Sequence, residues 1–270
     1  MNREIDVKTL KSIPEQIEST LLLAGFCFFY AARWLKKVQA PELSMSEALT
    51  LHTPLLFHGL GYSKKEEWQD IPLCREIIAA ADELSAVEAP LFEAEMMARF
   101  KSAIAARGEE LYPRSRGIYA PPSWNCGSLK YDPPSPEAPD KCMIHIYNTV
   151  APYSLFDDEE YLISCFKVLL KETAMHFGAV RIGCASWLNE DPRWLKFFPP
   201  EWQENMSERH PEALPNMTVG AWGFLYDARG CFHTGYGEML RQKGVRPFLP
   251  RNSFCSHEAM LRHLRSLSGK

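Results

Sequence analysis

The sequence predicts an α/β (α+β) chain in which a helical N-terminal region packs on a C-terminal mixed sheet, and three observations carry this. Residues 1–110 hold two helix-capping signatures and long helical periodicity, with no strand-like alternation. Seven prolines between Tyr112 and Asp140 (113, 121, 122, 133, 134, 136 and 139) exclude a continuing helix there. Beyond them, two short apolar runs flank one amphipathic helix, which is the order of a βαβ unit. The expected organisation is a helical domain over 1–111, a proline-rich connection over 112–140 and an α/β domain over 141–270.

Taken in order, Ser12-Ile-Pro-Glu15 is a capping box that opens a helix over 13–38. Its segment 21–32 is apolar on most sides, which predicts a core helix; it is shorter than the roughly 20 residues a bilayer requires. Ser44-Met-Ser-Glu47 is a second capping box. Residues 54–61, with His58 and Gly59, read as a turn-rich connection, and 73–107 as two helices divided near Pro90 with Gly108 as the stop. Tyr119, Trp124 and Tyr131 are expected to pack the proline-rich segment along the surface, because a solvated tether gains nothing from large apolar side chains. Strands are expected at 142–148 and 180–187, with an acid-started helix between them ending at Gly178. Helical signals resume at 192–198. Residues 218–226 read as a third strand, 237–243 as a helix stopped by Gly244, and 258–267 as the last helix.

Composition excludes several classes. With 46% hydrophobic residues and a net charge of −4, the chain can bury a large core and offers no general basic field to a nucleic-acid backbone. The eight cysteines never fall as C-x-x-C and mostly lie in apolar segments, which points to a reducing, cytoplasmic setting and not to a disulfide framework.

The candidate chemistry gathers where the two strands end, at His145-Ile-Tyr-Asn148 and Ser186-Trp-Leu-Asn189. Ligands bind outside the carboxyl ends of parallel strands, so an asparagine amide and a serine hydroxyl at one rim suit orienting a carbonyl. The alternative is that Ser186 or Asn189 caps the helix that follows. His145 is either a core histidine or a general base. Cys184 with His145 can be drawn as a thiol and its base, although a mid-strand cysteine is usually inert packing. In 230–237, three glycines ahead of a helix offer backbone N–H groups to a phosphate, with Arg241 or Lys243 adding charge; a tight turn and helix entry explains them equally well. No metal site is expected: His257 and His263 lack zincin spacing, and His210-Pro-Glu212 has a histidine-x-carboxylate form in a polar loop.

The pattern Met143-Ile-His-Ile-Tyr-Asn148, a helix, then Cys184-Ala-Ser-Trp-Leu-Asn-Glu-Asp-Pro192 with Phe198-Pro-Pro200 close behind resembles the GNAT-like C-terminal domain of certain bacterial acyltransferase-type proteins. Arg241-Gln-Lys-Gly244-Val-Arg246 matches the pyrophosphate loop of GNAT-type acyltransferases in part, with Arg246 in place of the final small residue. The resemblance implies an α/β acyltransferase-like fold. Together with the strand-end site, it motivates the expectation of an enzyme moving an acyl group from a thioester such as acyl-coenzyme A to a small amine or hydroxyl. His145, Ser186 and Glu238 are then the candidate catalytic residues; Tyr147, Asn148, Trp187, Asn189 and Trp222 would hold substrate; Gly235, Gly237 and Arg241 would hold the cofactor. The alternatives are a non-catalytic small-molecule or protein-binding module on the same fold and, third, a metal-dependent oxygenase.

Overall fold

The computed structural model describes residues 10–115 and 125–268, so the expectations for Tyr119, Trp124, Pro121 and Pro122 lie outside the described residues. Two compact units divide the chain: 1–115 with 211–247, and 116–210 with 248–270.

The first unit is helical. Helix α1 (Ile13–Tyr30) starts on the Ser12/Glu15 capping box and runs on as π-helical turns over Ala31–Gln39. Leu23, Phe26, Phe28 and Tyr30 are all buried, as an all-round apolar helix requires. The Ser44/Glu47 box opens α2 (Met45–His52), and a π-helical turn follows over Leu55–Gly59. Next come α3 (Pro72–Glu83) and α4 (Ala89–Ser115). Gly108 does not end α4. A side chain there would lie 3.0 Å from Thr20 Oγ1 and 3.5 Å from the Ile17 backbone, so the glycine admits close approach of α1.

The second unit holds the sheet. Its first elements are β1 (Leu129–Asp132), β2 (Lys141–Ile146), α5 (Glu159–Phe177), β3 (Arg181–Ser186) and the short helices α6 (Pro192–Leu195) and α7 (Pro200–Glu204). Asp158 caps α5, and Gly178 ends it at φ +61°, in the left-handed region that favours glycine. The βαβ unit is present, with β2 and β3 parallel. Strand β1 arises inside the proline-rich segment and pairs antiparallel with β2.

The chain then enters the helical unit for residues 211–247, a stretch expected within the C-terminal domain. The expected third strand over 218–226 is absent; the residues form α8 (Val219–Trp222) and a 3-10 turn over Gly223–Leu225. Gly220 and Gly223 weaken strand formation, while Asn216 Oδ1 accepts from the Thr218 amide and hydroxyl and stops the chain from extending. Helix α9 (Thr234–Lys243) ends at Gly244, φ +68°. Returning to the sheet, β4 (Arg251–Ser256) pairs antiparallel with β3 and leads into α10 (His257–Ser268).

Strand order is β1-β2-β3-β4. One face carries Cys142, Ile144, Ile182, Cys184 and Cys255, all buried in a cluster with Phe166, Leu169, Trp194, Trp202, Met260 and Leu264. Each large apolar side chain buried there contributes roughly 1.5–3 kcal/mol relative to exposure. The opposite face is more open, with His145 and Ala185 exposed. Among the described residues, no helix is long and apolar enough to cross a membrane.

Candidate functional site

Strands β2 and β3 pair only from Lys141↔Arg181 to Met143↔Gly183. Past that point β2 stays with β1 through Leu129↔Ile146, and β3 with β4 through Ser186↔Arg251. The carboxyl halves of the parallel strands therefore part company where ligands bind in such sheets.

At this rim the polar side chains tie their own loops. Asn148 Nδ2 donates to the Tyr153 carbonyl at 2.9 Å, and its Oδ1 accepts from the Val150 amide at 3.3 Å. Ser186 is buried and its hydroxyl accepts from the Leu188 amide at 3.2 Å, capping the 3-10 turn Trp187–Glu190. Asp191, not Asn189, caps α6. Asn189 is instead a buried junction. Its amide donates to the carbonyls of Cys184 (3.1 Å) and Arg251 (2.7 Å), and its Oδ1 accepts the indole N–H groups of Trp194 (3.3 Å) and Trp202 (3.2 Å). Those four bonds use the whole capacity of the amide.

His145 and Ser186 are not brought together. Alternation and register put Ser186 on the covered face and His145 on the open one, where its Nε2 lies 2.5 Å from Asp132 Oδ2 across the β1–β2 pair. Burial pushes the Cys184 thiol up to about 12, so it is no ready nucleophile. Burial also raises the half-buried Tyr147 phenol. Trp187 packs on Phe248, with ring centroids 5.4 Å apart.

The remaining candidates belong to the helical unit. Glu238 is exposed on α9. Gly235 lies beside the His233 ring, and Gly237 gives Phe232 room, since a side chain there would come within 2.5 Å of that ring. Arg241 forks onto Glu93 at 2.6 and 2.7 Å and lies over Phe29, so its charge is already matched. Trp222 is buried against Phe26 and Tyr30.

Sequence reasoning passed over His58. The π-helical turn Leu55–Gly59 presents it beside the Tyr226 ring, with centroids 4.8 Å apart in an edge-to-face contact. Burial first, and the charge of Lys11 second, push its imidazole down to about 4. The side chain is nevertheless exposed. Among the described residues no hydrogen bond reaches it.

Its neighbours are unusual too. Lys11 is buried, donates to the Gly230 carbonyl at 2.9 Å, and has its pKa lowered chiefly by burial. The Tyr226 hydroxyl is buried with no partner among the described residues. Such orphans cost roughly 1–3 kcal/mol each, and functional sites are where they are tolerated. The turn presenting Tyr226 is held by Asp227, whose Oδ1 accepts from the Arg229 and Cys231 amides. Lys11 and Tyr226, distant in sequence, thus converge on His58.

No cluster of three or more histidine, cysteine or acidic side chains suited to a metal occurs among the described residues. No family model matches the chain, and neither curated proteins nor solved structures give a significant match.

Proposed function

We propose that the protein binds a small polar molecule in its helical unit beside His58, and that the neutral imidazole accepts a hydrogen bond or a proton from it. The observation that carries this reading is the His58 ring itself, set edge to face on Tyr226, whose buried hydroxyl has no partner among the described residues, and kept neutral at physiological pH by its surroundings and Lys11. A neutral imidazole has an acceptor nitrogen available, which a protonated one lacks. The Tyr226 hydroxyl supplies an unused donor or acceptor in the same cluster, and the Lys11 ammonium provides positive charge near an anionic form of the ligand. Screening small polar compounds by thermal shift against wild type, His58→Gln and Tyr226→Phe tests the reading. Stabilisation of wild type that both variants lose supports it; stabilisation equal in all three proteins refutes it.

Acyl transfer at the strand ends is the second reading, favoured by the parting of β2 from β3 and by the GNAT-like pattern. The parting is where an acyl thioester such as an acyl-coenzyme A would enter, with Asn148 and Ser186 released from their loops to orient the acyl carbonyl. Calorimetric titration with coenzyme A thioesters of several chain lengths is the test, and absence of binding across the series ends it.

A further inference from the structure

A groove of about 560 Å³ lies elsewhere in the helical unit, and neither His58 nor Lys11 nor Tyr226 lines it. One wall is the stripe of α1 from Pro14 to Gly25; the other is Glu93, Met97 and Lys101, which share one face of α4 at four-residue spacing. The two helices run antiparallel: a side chain on Gly25 would lie 2.7 Å from Glu93 Oε1, and one on Gly108 3.0 Å from Thr20 Oγ1. Lys101 therefore stands between those levels, near Leu21 and Leu22, with Glu18 one turn further along α1. Arg241, forked onto Glu93, closes the end beside Gly25, so both charges there are matched. Leu21, Leu22 and Met97 line the middle, and Leu22 is 41% exposed. Glu18 and Lys101 are both exposed, and neither makes an ion pair or hydrogen bond among the described residues.

We propose that this groove binds a single-chain amphiphile with a zwitterionic head, the tail lying on Leu21, Leu22 and Met97 and the head between Glu18 and Lys101. The volume falls in the range of small-molecule sites, roughly 300–1,000 Å³, and the lining follows their pattern of an apolar floor with few polar groups. Charge complementarity selects the head. A lone anion would meet Lys101 and be repelled by Glu18, and a lone cation the reverse; a head carrying both signs matches both walls. The Arg241–Glu93 fork, already paired, asks for no further charge at the tail end. From the level of Glu18 to that of Gly25, α1 rises about 10 Å, room for an extended alkyl chain of about eight carbons.

Calorimetric titration of the whole chain with octylphosphocholine, octyltrimethylammonium and octyl sulfate, each kept below the concentration at which it forms micelles, tests the site. Octylphosphocholine is expected to bind about tenfold more tightly than either singly charged chain. Glu18→Gln and Lys101→Gln, both at exposed positions, should each weaken its binding about threefold. They should also move the singly charged chains in opposite senses: Glu18→Gln gains affinity for octyl sulfate, and Lys101→Gln gains affinity for octyltrimethylammonium. Leu22→Gln should weaken all three chains about fivefold. The proposal is overturned if octylphosphocholine does not bind, if the three heads bind alike, if the two charge variants keep the preferences of wild type, or if Leu22→Gln binds as wild type does.

Discussion

Asn189 accepts the indole N–H of Trp202 at 3.2 Å and so joins the end of β3 to the aromatic wall of the sheet unit. Trp194 shares the same oxygen, and the amide side holds Cys184 and Arg251 on adjacent strands. Replacing Asn189 by leucine keeps the branching and the number of heavy atoms and strands two indole donors and two carbonyls. The expected loss is about 3–5 kcal/mol, less than the sum of four separate bonds, because the surroundings relax together. Urea unfolding followed by tryptophan fluorescence measures it; a loss below 1 kcal/mol would mean that water replaces the amide.

His58 gives the protein an acid-sensitive window. Its pKa is about 4 in the folded state against an ordinary 6.5, so between those values the unfolded chain binds a proton that the folded one does not. The contribution is fully present above pH 6.5 and is lost as pH falls towards 4. Urea midpoints at pH 7.5, 5.5 and 4.5 should decline more steeply for wild type than for His58→Gln; parallel profiles would contradict the assignment.

Tyr226→Phe removes a buried hydroxyl that has no partner. Stability of the unliganded protein should stay level or rise by up to about 1.5 kcal/mol, while affinity for any ligand held beside His58 falls. Opposite signs in unfolding and binding experiments on one variant would separate a functional hydroxyl from a structural one. A destabilised variant would show that Tyr226 has a partner in solution.

Gly244 has φ +68°, and a side chain there would run into the Trp34 ring. Both effects oppose alanine, whose left-handed conformation alone costs about 1–2 kcal/mol. Gly244→Ala is therefore expected to lose at least about 2–3 kcal/mol. Gly178→Ala offers the comparison, since it shares the positive φ with nothing within 4 Å of the added carbon, and should lose only the conformational part. Chemical denaturation of the two variants reads the difference.

Local chemistry made much of this fold legible. Both capping boxes close as the Ser12/Glu15 and Ser44/Glu47 pairs demand, and the βαβ unit follows from short-range periodicity with Gly178 as punctuation. Where signals were ambiguous or weak, tertiary pairing decided. The run 218–226 is apolar but too short for periodicity to separate strand from helix. Strands β1 and β4 carry polar residues such as Lys130 and Asn252 on the open face, and no long apolar run marks them. The candidate sites were harder still. Ser186 behaves as the helix-starter its residue type favours, whereas the four partners of Asn189 come from separate stretches of chain. The depressed pKa of His58 depends on crowding and on Lys11, neither of which a turn-rich stretch announces.

The chain passes between its two units at 115/116, 210/211 and 247/248, which bears on the order in which a ribosome can deliver them. Helices α1–α4 emerge early, but the rings that cover Phe26 and Tyr30, those of Trp222 and Phe232, follow only after most of the sheet unit has been made. Strand β4, the partner along the whole of β3, comes later again. The helical unit cannot close before residues 211–247 have been made, nor the sheet before β4, so the nascent helical segment spends that interval with an aromatic surface uncovered, the condition in which newly made chains depend on chaperones.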